Sequence, residues 1–263
     1  MYRFDYEKPK SLADAVSQVA SAGQALAGGQ TLIAAMKQRL SQPEKLIDLS
    51  AVSEIQGICM DGDAVVIGAM TRHQEVAGHA DVKKNIPALA ALANGIGDKQ
   101  VRAMGTIGGS VANNDPAACY PSAVLALGAT IRTNRRTIAA DSFFQGLYAT
   151  ALEPGELITA VSFPKPQRAA YAKFKQPASR YALVGVFVAQ FASGVRVAIT
   201  GAANGAFRHA GLEAALTKDF SPKAVENVAV DASDLNGDIH ASAEYRAALI
   251  KVQTQRAVAA ALA

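Results

Sequence analysis

Ala27-Gly28-Gly29-Gln30-Thr31 and Thr106-Ile107-Gly108-Gly109-Ser110 are two double-glycine turns, and their reading decides the rest of the chain. Each sets two adjacent glycines beside a hydroxyl residue. Glycine lets the backbone take positive φ and leaves room for a ligand to approach the main chain. Successive N–H groups can then converge on an anion, as a concave nest or at the start of a helix. One such turn ordinarily closes a loop; two in one chain point to a diphosphate held from both sides. Neither matches Gly-x-Gly-x-x-Gly, because the second reads Gly105-x-x-Gly108-Gly109, so a Rossmann dinucleotide site is not supported.

Outward from the first turn, Ser11-x-x-Asp14 reads as an acidic capping box opening a helix over 12–22. A short strand at 25–27 enters the turn, a helix over 31–40 leaves it, and a second strand follows at 46–49. That order presents main-chain N–H groups at a helix start. The second turn is flanked by the polar runs Gly97-Asp98-Lys99-Gln100-Val101-Arg102 and Asn113-Asn114-Asp115-Pro116-Ala117-Ala118. Around it, 55–60 and 64–70 read as a hairpin closed by Asp61-Gly62-Asp63. Helices are expected at 86–94 and 121–128, and strands at 129–133 and 157–163. Pro164-Lys165-Pro166 marks a boundary, since closely spaced prolines disfavour both helix and ladder. Beyond it, 184–191 and 195–200 form another hairpin, and the remainder reads as helical, ending in an Ala-rich helix from about 243. The fold class is α+β, with a two-part first domain at 1–165 (parts 1–55 and 56–165) and a smaller domain of antiparallel strands and helices at 166–263.

Composition narrows the function. Of 263 residues, 50% are hydrophobic and 18% charged, which gives a globular chain with a sizeable core. Lys and Arg number 26 against 22 Asp and Glu, a net charge of +4 without a basic stripe interleaved with aromatics, so nucleic acid is not an expected partner. No signal peptide and no run of about 20 apolar residues is present, so a cytoplasmic location without a membrane span is expected. Cys59 and Cys119 stand alone, whereas an iron–sulfur cluster ordinarily needs about four thiolates. His73, His79, His209 and His240 are dispersed and read as surface or turn residues, so no metal site is expected.

The run from Asp98 to Ala129 resembles the flavin-binding (medium) subunit of the molybdenum hydroxylases. It carries Gln100-Val101-Arg102, Gly105-Thr106-Ile107-Gly108-Gly109, Asn114-Asp115-Pro116-Ala117 and Pro121. Phe4-Asp5-Tyr6, Pro9-Lys10-Ser11, Pro43-Glu44-Lys45-Leu46-Ile47-Asp48-Leu49, Val66-Ile67-Gly68-Ala69-Met70-Thr71, Glu153-Pro154-Gly155-Glu156-Leu157-Ile158 and Glu244-Tyr245-Arg246 extend the likeness over essentially the whole chain. Within the family its look is nearest to the aerobic carbon monoxide dehydrogenases.

The resemblance implies noncovalent FAD, with Ala27, Gly28, Gly29, Gln30 and Thr31 and then Thr106, Gly108, Gly109 and Ser110 holding the diphosphate and ribityl chain. It adds Asn114 and Asp115 just beyond the second turn, Ile158 toward the adenine, Lys173 on the cofactor and Tyr181 flanking the isoalloxazine. For Asp115 a helix cap or Asx turn is the competing reading. Many members carry an acid where this chain has Cys119, and a buried thiol is expected there. The family also implies partners: a large subunit with molybdopterin and a small subunit with two-iron two-sulfur clusters, possibly paired as a dimer of heterotrimers. No catalytic acid–base pair appears in this chain, consistent with electron transfer to an external acceptor. Two other readings are open: a self-contained flavoenzyme (oxidase or reductase) of the same fold, and a nucleotide-binding module without redox chemistry.

Overall fold

The computed structural model describes residues 1–263. Its first part is a parallel three-stranded sheet. In chain order it holds β1 (Asp5–Glu7), α1 (Leu12–Ala20), β2 (Gln24–Leu26), α2 (Leu32–Lys37) and β3 (Lys45–Asp48), with strand order β1-β3-β2. Ser11 caps α1, its Oγ accepting from Asp14 N at 3.1 Å and donating to Asp14 Oδ2 at 2.7 Å. Both helices are shorter than the periodicity predicts, because a left-handed residue stops each one. Ala22 takes φ +67° after α1. After α2, Arg39 takes φ +62° while Leu40 N reaches back to Ala35 O at 2.9 Å, closing the last turn as a left-handed cap.

The second part contains β4 (Ile58–Asp61), β5 (Ala64–Gly68), α3 (His73–Gly78), α4 (Ala80–Asn85), α5 (Pro87–Asn94), α6 (Lys99–Met104), α7 (Ile107–Asn113) and α8 (Tyr120–Ala126). There follow β6 (Thr130–Thr133), β7 (Thr137–Ala139), α9 (Ala140–Phe143), β8 (Phe144–Gly146), β9 (Ala149–Thr150) and β10 (Ile158–Pro164). Strands β4-β5-β10-β6-β7 form one antiparallel sheet, and β8 and β9 a separate hairpin. β4 begins three residues later than expected because Ser53–Ile55 winds into a 3-10 turn.

The third part is a four-stranded antiparallel sheet, β11 (Arg168–Lys175), β12 (Ala182–Phe191), β13 (Gly194–Thr200) and β14 (Phe207–Arg208), with α10 (Ala210–Lys218) and α11 (Ala243–Leu262). The expectation of helix throughout the region after Thr200 is corrected here: α10 and α11 are separated by one 3-10 turn, Pro222–Val225, and by irregular chain. There Asp231 accepts from Ser233 N at 3.0 Å and Asp238 from His240 N at 2.8 Å. Short polar side chains that bond nearby backbone compete with the helical ladder.

β12 joins the parts. Its run from Ala182 to Ala189 is buried without a break, because both faces are covered. Val184, Val186 and Val188 pack in the cluster that holds Leu249, Ile250 and Val258 of α11. Phe187 and Ala189 pack instead in the large core with Val124 and Leu127 around α8. Each fully buried Val, Leu, Ile or Phe among them contributes roughly 1.5–3 kcal/mol. The sheet edge near the site is pinned as well. Thr200 Oγ1 donates to Pro116 O and Ala118 O at 2.8 and 2.7 Å, and Gly201 N donates to Pro116 O at 2.8 Å. Buried Arg246 donates to Leu183 O and Gly201 O at 3.0 and 2.8 Å and pairs with Asp238 at 2.7 Å. No helix is long and apolar enough to cross a membrane.

Candidate functional site

A cavity of about 900 Å³ runs between the three parts, within the size range of cofactor sites. Every residue singled out from the sequence lines it except Asn114: Ala27 to Thr31, then Thr106, Gly108, Gly109 and Ser110, then Asp115, Ile158, Lys173 and Tyr181.

The two glycine turns meet, and they do different work. Gly28 sits so close to α6 that a Cβ there would lie 2.6 Å from Gly105 Cα and collide with Met104 O. Gly29 takes φ +69°. The N–H groups of Gly28, Gly29, Gln30, Thr31 and Leu32 donate to no acceptor within the chain, because the loop turns them away from every strand and α2 starts only at Leu32. Five adjacent free donors beside a cavity match the needs of a diphosphate. The second turn does not repeat this arrangement, contrary to the symmetric reading of the sequence. Ile107 N bonds Thr71 O at 3.0 Å, Gly108 N bonds Ala69 O at 2.8 Å, and Gly109 N bonds Thr106 Oγ1 at 3.2 Å. Gly108 is there for packing, since a Cβ would lie 2.5 Å from that of Ala69. What this turn offers the cavity is the Thr106 and Ser110 hydroxyls and a close backbone surface.

Asp115 adopts the local turn that competes with ligand contact, accepting from Ala117 N at 2.8 Å, yet it still faces the cavity. Asn114 is fully buried and left-handed (φ +45°), and its amide donates to Gly146 O and Ala149 O, both at 2.8 Å. Its place is behind the site rather than in it. Tyr148, which sequence reasoning missed, lines the cavity near Tyr181. No periodicity marks it; only the β8–β9 hairpin brings it there. Ile96 and Leu152 add apolar wall and were missed for the same reason.

Lys173 projects from β11 and donates to Gly95 O at 2.8 Å, Arg180 O at 3.1 Å and Cys119 Sγ at 3.3 Å. It brings positive charge to the cavity wall while its donors fasten the Tyr181 segment to the end of α5. Cys119 is buried, as expected, and Cys59 is exposed. Thiol titration of the folded protein should therefore show one fast equivalent that Cys59→Ser abolishes, with Cys119 reacting only on unfolding. Two fast equivalents in the wild type would contradict the burial of Cys119.

His73 corrects a sequence expectation. It is not a surface residue but is buried, its ring 5.3 Å from that of Tyr120, and its backbone N–H donates to Gly105 O at 2.9 Å. Burial, with the nearby Arg102 guanidinium, pushes its pKa down to about 4. The second turn is thus held by the His73 backbone amide, and the neutral ring packs against Gly105. At the opposite wall Glu156 is buried, accepting from Arg136 Nε at 3.0 Å, Thr133 Oγ1 at 2.7 Å and Glu153 N at 2.9 Å. Chiefly the Arg136 bond holds its carboxyl down at about 2. This network shapes the turn that delivers Leu157 and Ile158 to the cavity.

Comparison with known proteins places this geometry. The sequence model for the FAD binding domain in molybdopterin dehydrogenase matches residues 2–166. The chain belongs to that family. The carbon monoxide dehydrogenase medium chain of Afipia carboxidovorans is 38% identical, over 97% of this chain and 95% of that one. The nicotine 6-hydroxylase medium subunit of Paenarthrobacter nicotinovorans is 34% identical, over 96% and 95%. Reconstituted carbon monoxide dehydrogenase from Oligotropha carboxidovorans superposes with a TM-score of 0.92 at 34% identity, covering 99% of this chain and 98% of the other. This molybdopterin dehydrogenase flavoprotein is an oxidoreductase subunit that binds FAD, and the free donors of the first turn fit that cofactor.

Proposed function

We propose that this chain is the flavin subunit of a molybdenum-containing hydroxylase assembly, with a large molybdopterin subunit and a small iron–sulfur subunit as partners in the cytoplasm. The observation that carries the reading is the row of five unpaired N–H groups, Gly28 to Leu32, at the point where the two glycine turns meet. When bound, FAD supplies a two-electron relay between the partner's iron–sulfur clusters and an external acceptor.

The chain's own residues bind and orient. The first turn holds the diphosphate, each charge-assisted bond contributing roughly 1.5–3 kcal/mol. Thr31, Thr106 and Ser110 add hydroxyl donors, and Ile158 covers the adenosine end. Residues 166–263 would close over the ring, with Tyr181 flanking it, and Lys173 holds that segment in place. The medium-subunit names of relatives with different substrates support this division of labour, since the substrate would be chosen by another chain.

The test is the visible spectrum of the purified protein before and after denaturation. Flavin bands, with the cofactor released intact as FAD, are expected. A colourless protein that also fails to take up FAD when its partner chains are present would overturn the proposal.

A further inference from the structure

Two non-glycine residues that line the cavity, Tyr148 in the β8–β9 hairpin and Arg180 before β12, have left-handed backbones, and only the hairpin is anchored by a fully buried side chain. The hairpin tip is Leu147-Tyr148, and Tyr148 takes φ +53°, a left-handed conformation that a bulky side chain adopts at a cost of about 1–3 kcal/mol. Gly146, just before it, has φ +142°. Such strain persists only where the surroundings over-determine it. Here they do. Asn114, 0% exposed, donates both amide hydrogens to the two carbonyls that bracket the tip, Gly146 O and Ala149 O. Asn114 is itself left-handed at the end of α7, the helix that begins with the second glycine turn. The same seven-residue helix therefore carries the glycine surface at one end and the hairpin anchor at the other.

What this holds up is a large apolar rim. Leu147 and Tyr148 are 54% and 57% exposed, and Tyr181 is 47% exposed. Tyr148 and Tyr181 both line the cavity, close enough together with Asp115 that each of those two groups pushes the Tyr181 phenol up, after burial itself. Exposing two tyrosines that both line the cavity, one of them on strained backbone, serves a binding role better than a folding one.

We propose that Tyr148 is a second aromatic wall at the flavin end of the cavity, that Asn114 positions it, and that the hairpin tip decides which oxidants reach the cofactor. The inference rests on the FAD reading above, and it concerns access rather than affinity. Large planar acceptors dock against the Tyr148–Tyr181 rim, whereas small oxidants are kept off the ring by it.

The experiment uses the protein purified from its host with the chains that accompany it, after FAD content has been measured by absorbance. The bound flavin is reduced and then mixed with dioxygen, which takes two electrons and two protons to give hydrogen peroxide and oxidised FAD. Parallel mixing uses a bulky indophenol dye. Tyr148→Ala should speed reoxidation by dioxygen about tenfold and slow that by the dye, while Tyr148→Phe, which keeps the ring, stays within about twofold of wild type. Asn114→Ala should shift both rates in the same direction as Tyr148→Ala. The double variant should add little to either single change, the signature of residues acting as one unit. If Asn114→Ala fails to fold, the Tyr148 pair carries the test alone. Unchanged rates for both acceptors in Tyr148→Ala with full FAD content overturn this inference and leave the FAD reading intact. Wild-type protein that carries no FAD and takes up none with its accompanying chains present overturns that reading itself, and with it this inference.

Discussion

Gly28→Ala should strip the protein of FAD. The added Cβ would lie 2.6 Å from Gly105 Cα and 2.8 Å from the Met104 carbonyl carbon. Both are backbone atoms between two short helices, so no side chain can rotate away. The turns must move apart, at a cost of about 1–3 kcal/mol for overpacking of this kind. That displacement falls on the loop whose five free N–H groups form the cradle, so an affinity loss of about a hundredfold, or roughly 2.7 kcal/mol, is expected. Gly109→Ala is a control for the fold, read by its melting curve and not by its affinity, because Gly109 itself lines the cavity. Its Cβ would meet Thr106 Oγ1 at 3.0 Å and Ala27 Cβ at 3.4 Å, a fit needing only a small adjustment. FAD titration of Gly28→Ala and wild type followed by flavin fluorescence, with a melting curve for each variant, checks both. Equal affinity in Gly28→Ala and wild type would mean that the contact between the turns does not shape the site.

Acid should weaken the fold over two pH windows, and Glu156 accounts for the lower one. Its folded pKa of about 2 lies below the ordinary 4.5, so its stabilisation is complete above about pH 4.5 and disappears as pH falls toward 2. The shift corresponds to about 3 kcal/mol. His73 acts earlier. Its folded pKa of about 4 lies below the ordinary 6.5, because the charged form is penalised by burial. Its contribution, again about 3 kcal/mol, is therefore complete above pH 6.5 and lost as pH falls from 6.5 to 4. Glu156→Gln keeps the shape but removes the charge that Arg136 grips. It should cost about 3 kcal/mol at neutral pH and flatten the stability curve below pH 4.5 while leaving the higher step in place. Denaturant melts of wild type and variant from pH 7 to 3 measure both steps. A Glu156→Gln protein that matches wild type at pH 7 would show that the buried carboxylate is not a net stabiliser.

The glycine turns, the capping box at Ser11, the hairpin through Asp61-Gly62-Asp63 and the buried strand at 184–191 were legible in the sequence because each rests on a local rule: positive φ, a side-chain cap, a turn preference, or a continuous apolar run. The residues that the family resemblance singled out line the cavity, Asn114 excepted, for the same reason, since motifs are local too. What the sequence could not express is which donors survive folding. Both turns read as anion nests, yet the second loses its N–H groups to Thr71 O, Ala69 O and Thr106 Oγ1, partners supplied partly by a distant strand end. Asn114 lies in a motif that suggests ligand contact, and only the β8–β9 hairpin, more than thirty residues on, shows that its amide is an anchor. His73 looked like a surface residue because nothing in its neighbourhood in the chain says that Tyr120 will cover it. The sequence by itself determined the turns, the class of fold and the cofactor. Tertiary packing alone decided which polar groups face the ligand and which are consumed by the protein, because a hydrogen bond depends on where its partner ends up in space and not on where it sits in the chain.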